Sequence, residues 1–206
     1  MKKIIIPFLA IAFVACNSDD DNSGSNAPNP PFAGNFASIT ANGVEVPMQE
    51  GPIYAQSFSN GSSTGAICSY DYGASFSNLE NASAHPQILI SFEDIYISAA
   101  CDGMEDEVFS TLFETAAYPY SNGSNPGMLV IYTPVGAEPY ISSFGSQTGS
   151  TFEVTEVTAL ESSSIFGTDL SMRVKGNFTC KVYNPDMPAD VITIENGSFS
   201  FILDAL

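Results

Sequence analysis

The chain has 206 residues, with 23 Asp+Glu against 5 Lys+Arg, one His, four Cys and no Trp, for a formal charge of −18. So few bases exclude nucleic-acid binding through phosphate neutralisation, and a single His excludes His-rich zinc sites and any two-His metal constellation. At 44% hydrophobic and 12% aromatic the chain has material for a core, and its length suggests one domain with a tail.

Residues 1–16 read MKKIIIPFLAIAFVAC. Lys2 and Lys3 form a positive start, and Ile4 to Val14 is an apolar run of 11 residues. A membrane-spanning helix needs about 20, so the run fits the apolar region of a signal peptide. Phe13-Val14-Ala15-Cys16 resembles a bacterial lipobox, with Phe13 where Leu is usual. The resemblance implies cleavage before Cys16 and diacylglycerol on its thiol. Asn17 and then Ser18, Asp19, Asp20 and Asp21 follow directly. They resemble the signal that sends Bacteroidota lipoproteins to the outer face of the outer membrane. A periplasm-facing anchor is the alternative, and the same acids suit a solvated tether. Cleavage removes Lys2 and Lys3, leaving three bases against 23 acids and a charge of −20. Membrane contact is therefore expected through lipid, not through a basic patch. The expected organisation is a signal peptide at 1–15, a lipidated Cys with an acidic, Pro-rich tether at 16–35, and one β domain at 36–206. As a flexible coil the tether would hold the domain about 25 Å from its anchor.

From Phe36 the pattern turns to short alternating runs. Phe36 to Thr40 and Val44 to Val46 flank Asn42-Gly43, which predicts a tight hairpin. Gly61 to Gly65 reads as a Gly/Ser-rich turn. Cys68, Tyr70 and Tyr72 share one strand face. Gln87 to Phe92 is a β-branched, apolar run, continued at period two by Ile95, Ile97 and Ala99. Asp102-Gly103-Met104-Glu105 has capping-box spacing, and the i, i+4 pairs Val108/Leu112 and Phe109/Phe113 predict about two helical turns over 104–113. Met128 to Thr133 is a buried-type strand. Phe152 to Val157 loses phase near Glu156, which predicts a bulge. In Ser171 to Val182, Met172, Val174, Phe178, Cys180 and Val182 share one face while Arg173, Lys175, Asn177, Thr179 and Lys181 share the other. Asn196-Gly197 predicts a last hairpin between 191–195 and 198–203. Frequent turn signals without long helical patterns predict an all-β fold, an antiparallel two-sheet sandwich with one short helix; a calycin-like closed barrel is the alternative.

The runs Phe152-Glu153-Val154-Thr155, Gly176-Asn177-Phe178 and Ile194-Glu195-Asn196-Gly197-Ser198-Phe199, with the leader, resemble a group of small Bacteroidota surface lipoproteins. Those begin with an Asn-Gly hairpin and end with a Gly-x-Phe strand followed by an Asn-Gly-x-Phe hairpin. The resemblance covers the leader, 36–46 and 150–203, and leaves 50–148 unmatched. It implies a shared all-β fold and brings no known activity.

No residue set assigns a catalytic centre or a cofactor. Cys68, Cys101 and Cys180 remain besides Cys16, and an oxidising compartment allows one bridge among them. Cys68–Cys101 is the favoured pair, worth about 3–4 kcal/mol by loop entropy, with Cys180 a buried free thiol; pairs using Cys180 stay open. Gly61-Ser62-Ser63-Thr64-Gly65 matches G-x-S-x-G, but a nucleophile elbow needs a helix after Ser63, and the one His, His85, precedes a proline. Asp102, Glu105, Asp106 and Glu107 offer hard oxygen ligands for Ca²⁺, though not at EF-hand spacing, and acids in a first helical turn complement its dipole anyway. Glu153 and Glu156 fall on opposite strand faces, with Glu153 expected to meet Arg173 or Lys175 across strands. Tyr118, Tyr120, Tyr132 and Tyr140 are a possible ligand surface. The expected function is a non-catalytic surface lipoprotein domain that binds a ligand, glycan or partner protein. A carboxylate-dependent glycan hydrolase and an accessory subunit of an outer-membrane complex are the alternatives.

Overall fold

A computed structural model describes residues 35–48, 53–64, 67–78, 82–98, 105–164 and 167–205. All belong to one compact unit, Pro31–Leu206. The expected leader and all but the last residue of the expected tether lie outside the described residues.

Ten strands carry the fold: β1 Phe36–Ala41, β2 Val44–Pro47, β3 Ile53–Thr64, β4 Ile67–Asn78, β5 Gln87–Ser98, β6 Gly127–Thr133, β7 Tyr140–Ile141, β8 Thr151–Ser164, β9 Gly167–Tyr183 and β10 Val191–Asp204. Among the described residues one short α-helix, α1, spans Asp106–Phe109. The sheet runs β2-β1-β10-β9-β7-β6-β5-β4-β3, with β8 also paired to β9, and every pairing of these strands is antiparallel. The all-β class and the lone short helix match the expectation, and the layers are facing lobes of one curled sheet, a half-barrel. One lobe is β8-β9-β10-β1-β2 and the other β3 to β7. Among the described residues only Ile141↔Tyr183 pairs them directly. Beside that pair the Gln147 side chain substitutes for a strand residue. Its Nε2 donates to the carbonyls of Lys181 at 2.6 Å and Ser142 at 2.7 Å, and its Oε1 accepts the Lys181 N–H at 3.0 Å.

The core follows from period two. Tyr72, Ala74 and Phe76 on β4, Ile88, Ile90 and Phe92 on β5, Met128 and Val130 on β6, and the predicted face of β9 are all buried. Phe92 reaches across the curl, with its ring centroid 6.2 Å from Phe152 on β8 and 6.5 Å from Phe201 on β10.

The structure departs from expectation at five places. β3 runs through Gly61–Thr64, where a turn was expected, because each residue pairs with β4; Ser63 faces Cys68 across the ladder. Strand pairing, a non-local term, overrides the weak β preference of Gly, Ser and Asn. The helix is four residues long, with no side-chain cap at Glu105; the expected capping box begins outside the described residues. Phe109 and Phe113 are nevertheless buried together, with Phe109 5.4 Å and Phe113 5.7 Å from Tyr72 between ring centroids. Asn196-Gly197 makes no hairpin. Asn196 has the positive φ of a turn, +51°, but β10 continues through it, and the register with β9 slips between Ile194 and Gly197, so the pair forms a bulge. The bulge expected near Glu156 is present between Val154 and Glu156, and by shifting the register it sets Glu156, not Glu153, opposite Lys175; their side chains meet at 2.9 Å, while Glu153 faces Asn177. Finally, the period-two run of β5 breaks after Phe92. Asn42-Gly43 is the expected tight turn, with φ of +48° and +80°. Asn42 also docks the hairpin on β10, accepting the Thr193 N–H at 2.9 Å.

Candidate functional site

The site forms where β5 breaks its pattern. Tyr72 faces Phe92 and Tyr70 faces Tyr96, so one residue of β4, Asp71, stands opposite three of β5, Glu93, Asp94 and Ile95. This three-against-one bulge puts Asp94 in the left-handed region, φ +50°, which a short acidic side chain tolerates better than most. Asp71 fixes it, its Oδ1 accepting the Asp94 N–H at 2.7 Å. The Ser91 hydroxyl donates to Glu93 Oε1.

Beside the bulge lies a groove of about 320 Å³. Phe92, Ile95, Ile97, Pro119 and Pro126 give it apolar lining, joined by Tyr118, Glu93 and Asp94. Tyr118 belongs to a strap that ties the two lobes: its N–H donates to the Phe152 carbonyl, the Val154 N–H to the Ala116 carbonyl, and the Met128 N–H to the Pro119 carbonyl. The Tyr118 hydroxyl is held by the backbone of Glu114, and its ring sits edge-on to Phe92, 5.2 Å between centroids. Across the strap a second, more polar groove of about 550 Å³ is lined by Tyr120, Gln147, Ser150 and Glu153 among others.

The charges at the bulge are all of one sign. Burial raises the carboxyl of Asp71, with the Asp94 N–H pulling it down and the Asp94 charge pushing it up again. Burial also raises Glu93, against the Ser91 hydrogen bond and with the charges of Asp71 and Asp94. Among the described residues no three His, Cys, Asp or Glu side chains converge as a metal site.

The sequence-selected residues fall as follows. Glu105, Asp106 and Glu107 are exposed at the start of α1, and Asp102 lies outside the described residues. Cys16, Ser18, Asp19, Asp20, Asp21 and Cys101 also lie outside them. Cys68 is in a disulfide, and Cys180 is a free, buried thiol that burial pushes up to about 12. His85 is exposed. The four tyrosines do not gather on one surface. Tyr118 and Tyr120 are on the strap; the hydroxyl of Tyr120 is tucked against the carbonyls of Thr179 (3.0 Å) and Thr151 (3.2 Å), and burial raises it strongly. Tyr132 points into the core, and Tyr140, its partner across the β6–β7 ladder, donates to Asp190 at 2.6 Å. Asp71, Glu93 and Asp94 were not singled out by sequence. The available signal was Glu93-Asp94, two adjacent acids interrupting an apolar strand, which breaks period two. Comparison of the chain with family models, curated proteins and solved structures finds no match.

Proposed function

We propose that the chain is an outer-membrane lipoprotein of the kind its leader and turns resemble, anchored through Cys16 and facing outward, whose β domain binds a ligand without transforming it. The observation that carries the binding reading is the groove at the β5 bulge. It is a preformed cleft with apolar walls and a few placed polar groups, set on a rigid sheet. The leader MKKIIIPFLAIAFVAC and the acids of 19–21 support the address. Pairing of Cys68 with Cys101 belongs to the same reading: Cys68 is bonded, Cys180 is free, and Cys16 is committed to lipid.

Mass spectrometry of the unreduced, membrane-extracted protein tests anchor and bridge together. The expected result is a diacylglycerol on the Cys16 peptide and a Cys68 peptide linked to that of Cys101. A Cys16–Cys68 link would overturn both. Protease digestion of intact cells is expected to remove the domain, and to spare it when Asp19, Asp20 and Asp21 are replaced by Ala; unchanged digestion would remove the export role.

One observation favours a second reading, a carboxylate-dependent glycan hydrolase. Burial raises Asp71 and Glu93 together, and a raised carboxylic acid is what a general acid requires. Release of reducing ends from surface polysaccharide, lost in Glu93→Gln, would establish catalysis in place of simple binding.

A further inference from the structure

The groove beside β5 is asymmetric in its chemistry. Phe92, Ile95, Ile97 and Pro126 form an apolar wall, and Ile97 leaves 56% of its surface exposed on a strand whose other apolar residues are largely covered. Glu93 and Asp94 line the same groove, and Asp71 holds the Asp94 backbone N–H at 2.7 Å. The charges that act on Glu93 are Asp71 and Asp94, both negative. After leader cleavage the chain has three bases, Arg173, Lys175 and Lys181, all on β9 in the other lobe, and Lys175 is paired with Glu156. Partly desolvated carboxylates without a cation are unfavourable, and a cation brought by a ligand relieves that while its apolar part covers the wall. The ring of Tyr118 at the border adds the attraction of an aromatic face for a cation.

We propose that this groove binds a small organic cation, an ammonium group carried on an apolar body, with Glu93 and Asp94 as its counter-charges and Ile97, Pro126 and Tyr118 covering the body. The proposal rests on the binding reading above and names the class of ligand. An anion is repelled by three carboxylates, and a neutral apolar ligand leaves them unpaired. A volume of about 320 Å³ is at the small end for ligand clefts and suits one ring or short alkyl body with its charged head.

The test uses the full lipidated chain in nonionic detergent and three probes of one shape: 2-phenylethylammonium, 2-phenylethanol and 3-phenylpropionate, titrated by calorimetry. The ammonium is expected to bind about tenfold or more tighter than the alcohol, the carboxylate not at all, and the ammonium affinity is expected to fall with salt. The double variant Glu93→Gln/Asp94→Asn is expected to lose the preference for ammonium over alcohol. Asn tolerates the left-handed backbone at 94 and keeps the N–H that Asp71 accepts, so this variant retains the bulge. Its melting temperature, measured alongside, checks that. A second variant, Ile97→Ser, removes apolar wall at an exposed position and is expected to weaken ammonium and alcohol alike. Equal affinity for ammonium and alcohol, a preference that survives the double substitution, or no binding of any probe would overturn the inference. Tight binding of the alcohol alone would overturn it while leaving the binding reading standing. Hydrolysis of glycans would instead sink the binding reading.

Discussion

Gly176 and Gly197 explain why the chain repeats Gly-x-Phe near its end. In the β9–β10 ladder Gly176 faces Phe199 and Phe178 faces Gly197, so each motif's ring lies over the other motif's glycine. A Cβ on Gly197 would stand 2.6 Å from the Phe178 ring, and one on Gly176 would stand 2.7 Å from the Phe199 ring and closer still to the Glu153 carbonyl of β8. The missing side chains are the space the two phenylalanines fill, and Phe199 then stacks on Phe201 with centroids 5.0 Å apart. The two glycines are not equivalent. At Gly176 the obstacle includes backbone, which cannot swing away; at Gly197 it is a ring. Gly176→Ala is expected to cost about 3 kcal/mol, the upper end for overpacking, and Gly197→Ala about 1–2. Urea denaturation midpoints measure this, and equal midpoints for the two variants would remove the backbone-contact explanation.

The β5 bulge is the element that turns a strand into a site, and it has a stability signature. Asp71 and Glu93 both have carboxyls raised in the folded protein, chiefly by burial. A carboxyl raised on folding binds its proton more tightly in the native state, so its contribution is fully present below the unfolded value of about 4 and is lost as pH climbs through the folded value. Glu156 works the other way. The Lys175 hydrogen bond lowers it, so its small contribution is present above the unfolded value and fades as pH falls through the folded one. The comparison of wild type with Glu93→Gln isolates the first effect. At pH 7 the variant is expected to melt higher than wild type, and the advantage is expected to vanish near pH 4. A variant less stable at pH 7 would mean that the Ser91–Glu93 hydrogen bond outweighs the desolvation of the carboxylate. A residue kept at a cost in stability is what a binding role explains.

At the scale of the molecule, what sequence discloses and what it hides divide by range. The faces of β4 and β9 were legible because period two is local, and so were the Asn42-Gly43 turn and the phase loss near Glu156. β3 was not, since its Ser-, Gly- and Asn-rich run is a strand only because β4 lies beside it. Asn196-Gly197 misled for a related reason: the same positive φ serves a hairpin turn and a bulge, and only the neighbours β1 and β9 decide which. The candidate site was hidden twice over. Asp71 is more than twenty residues from Glu93 and Asp94, and the register of β4 on β5 joins them. The same non-local packing decides whether the two lobes act as one body. Among the described residues their direct ladder contact is a single pair, so the coupling falls to the strap and to the aromatic core. Phe92 is the hub of that core, in ring contact with Phe113 and Tyr118 on its own side of the curl and with Phe152 and Phe201 on the other. Phe92→Ala is expected to cost about 3–5 kcal/mol, and at about 2–4 °C per kcal/mol for a domain of this size the melting temperature should fall by roughly 10 °C. Calorimetry of the wild type should show one transition with equal calorimetric and van't Hoff enthalpies. Two transitions in Phe92→Ala, with the lower one reporting β3 to β7, would show that this ring holds the lobes in one cooperative unit; two transitions already present in the wild type would show that they never were one.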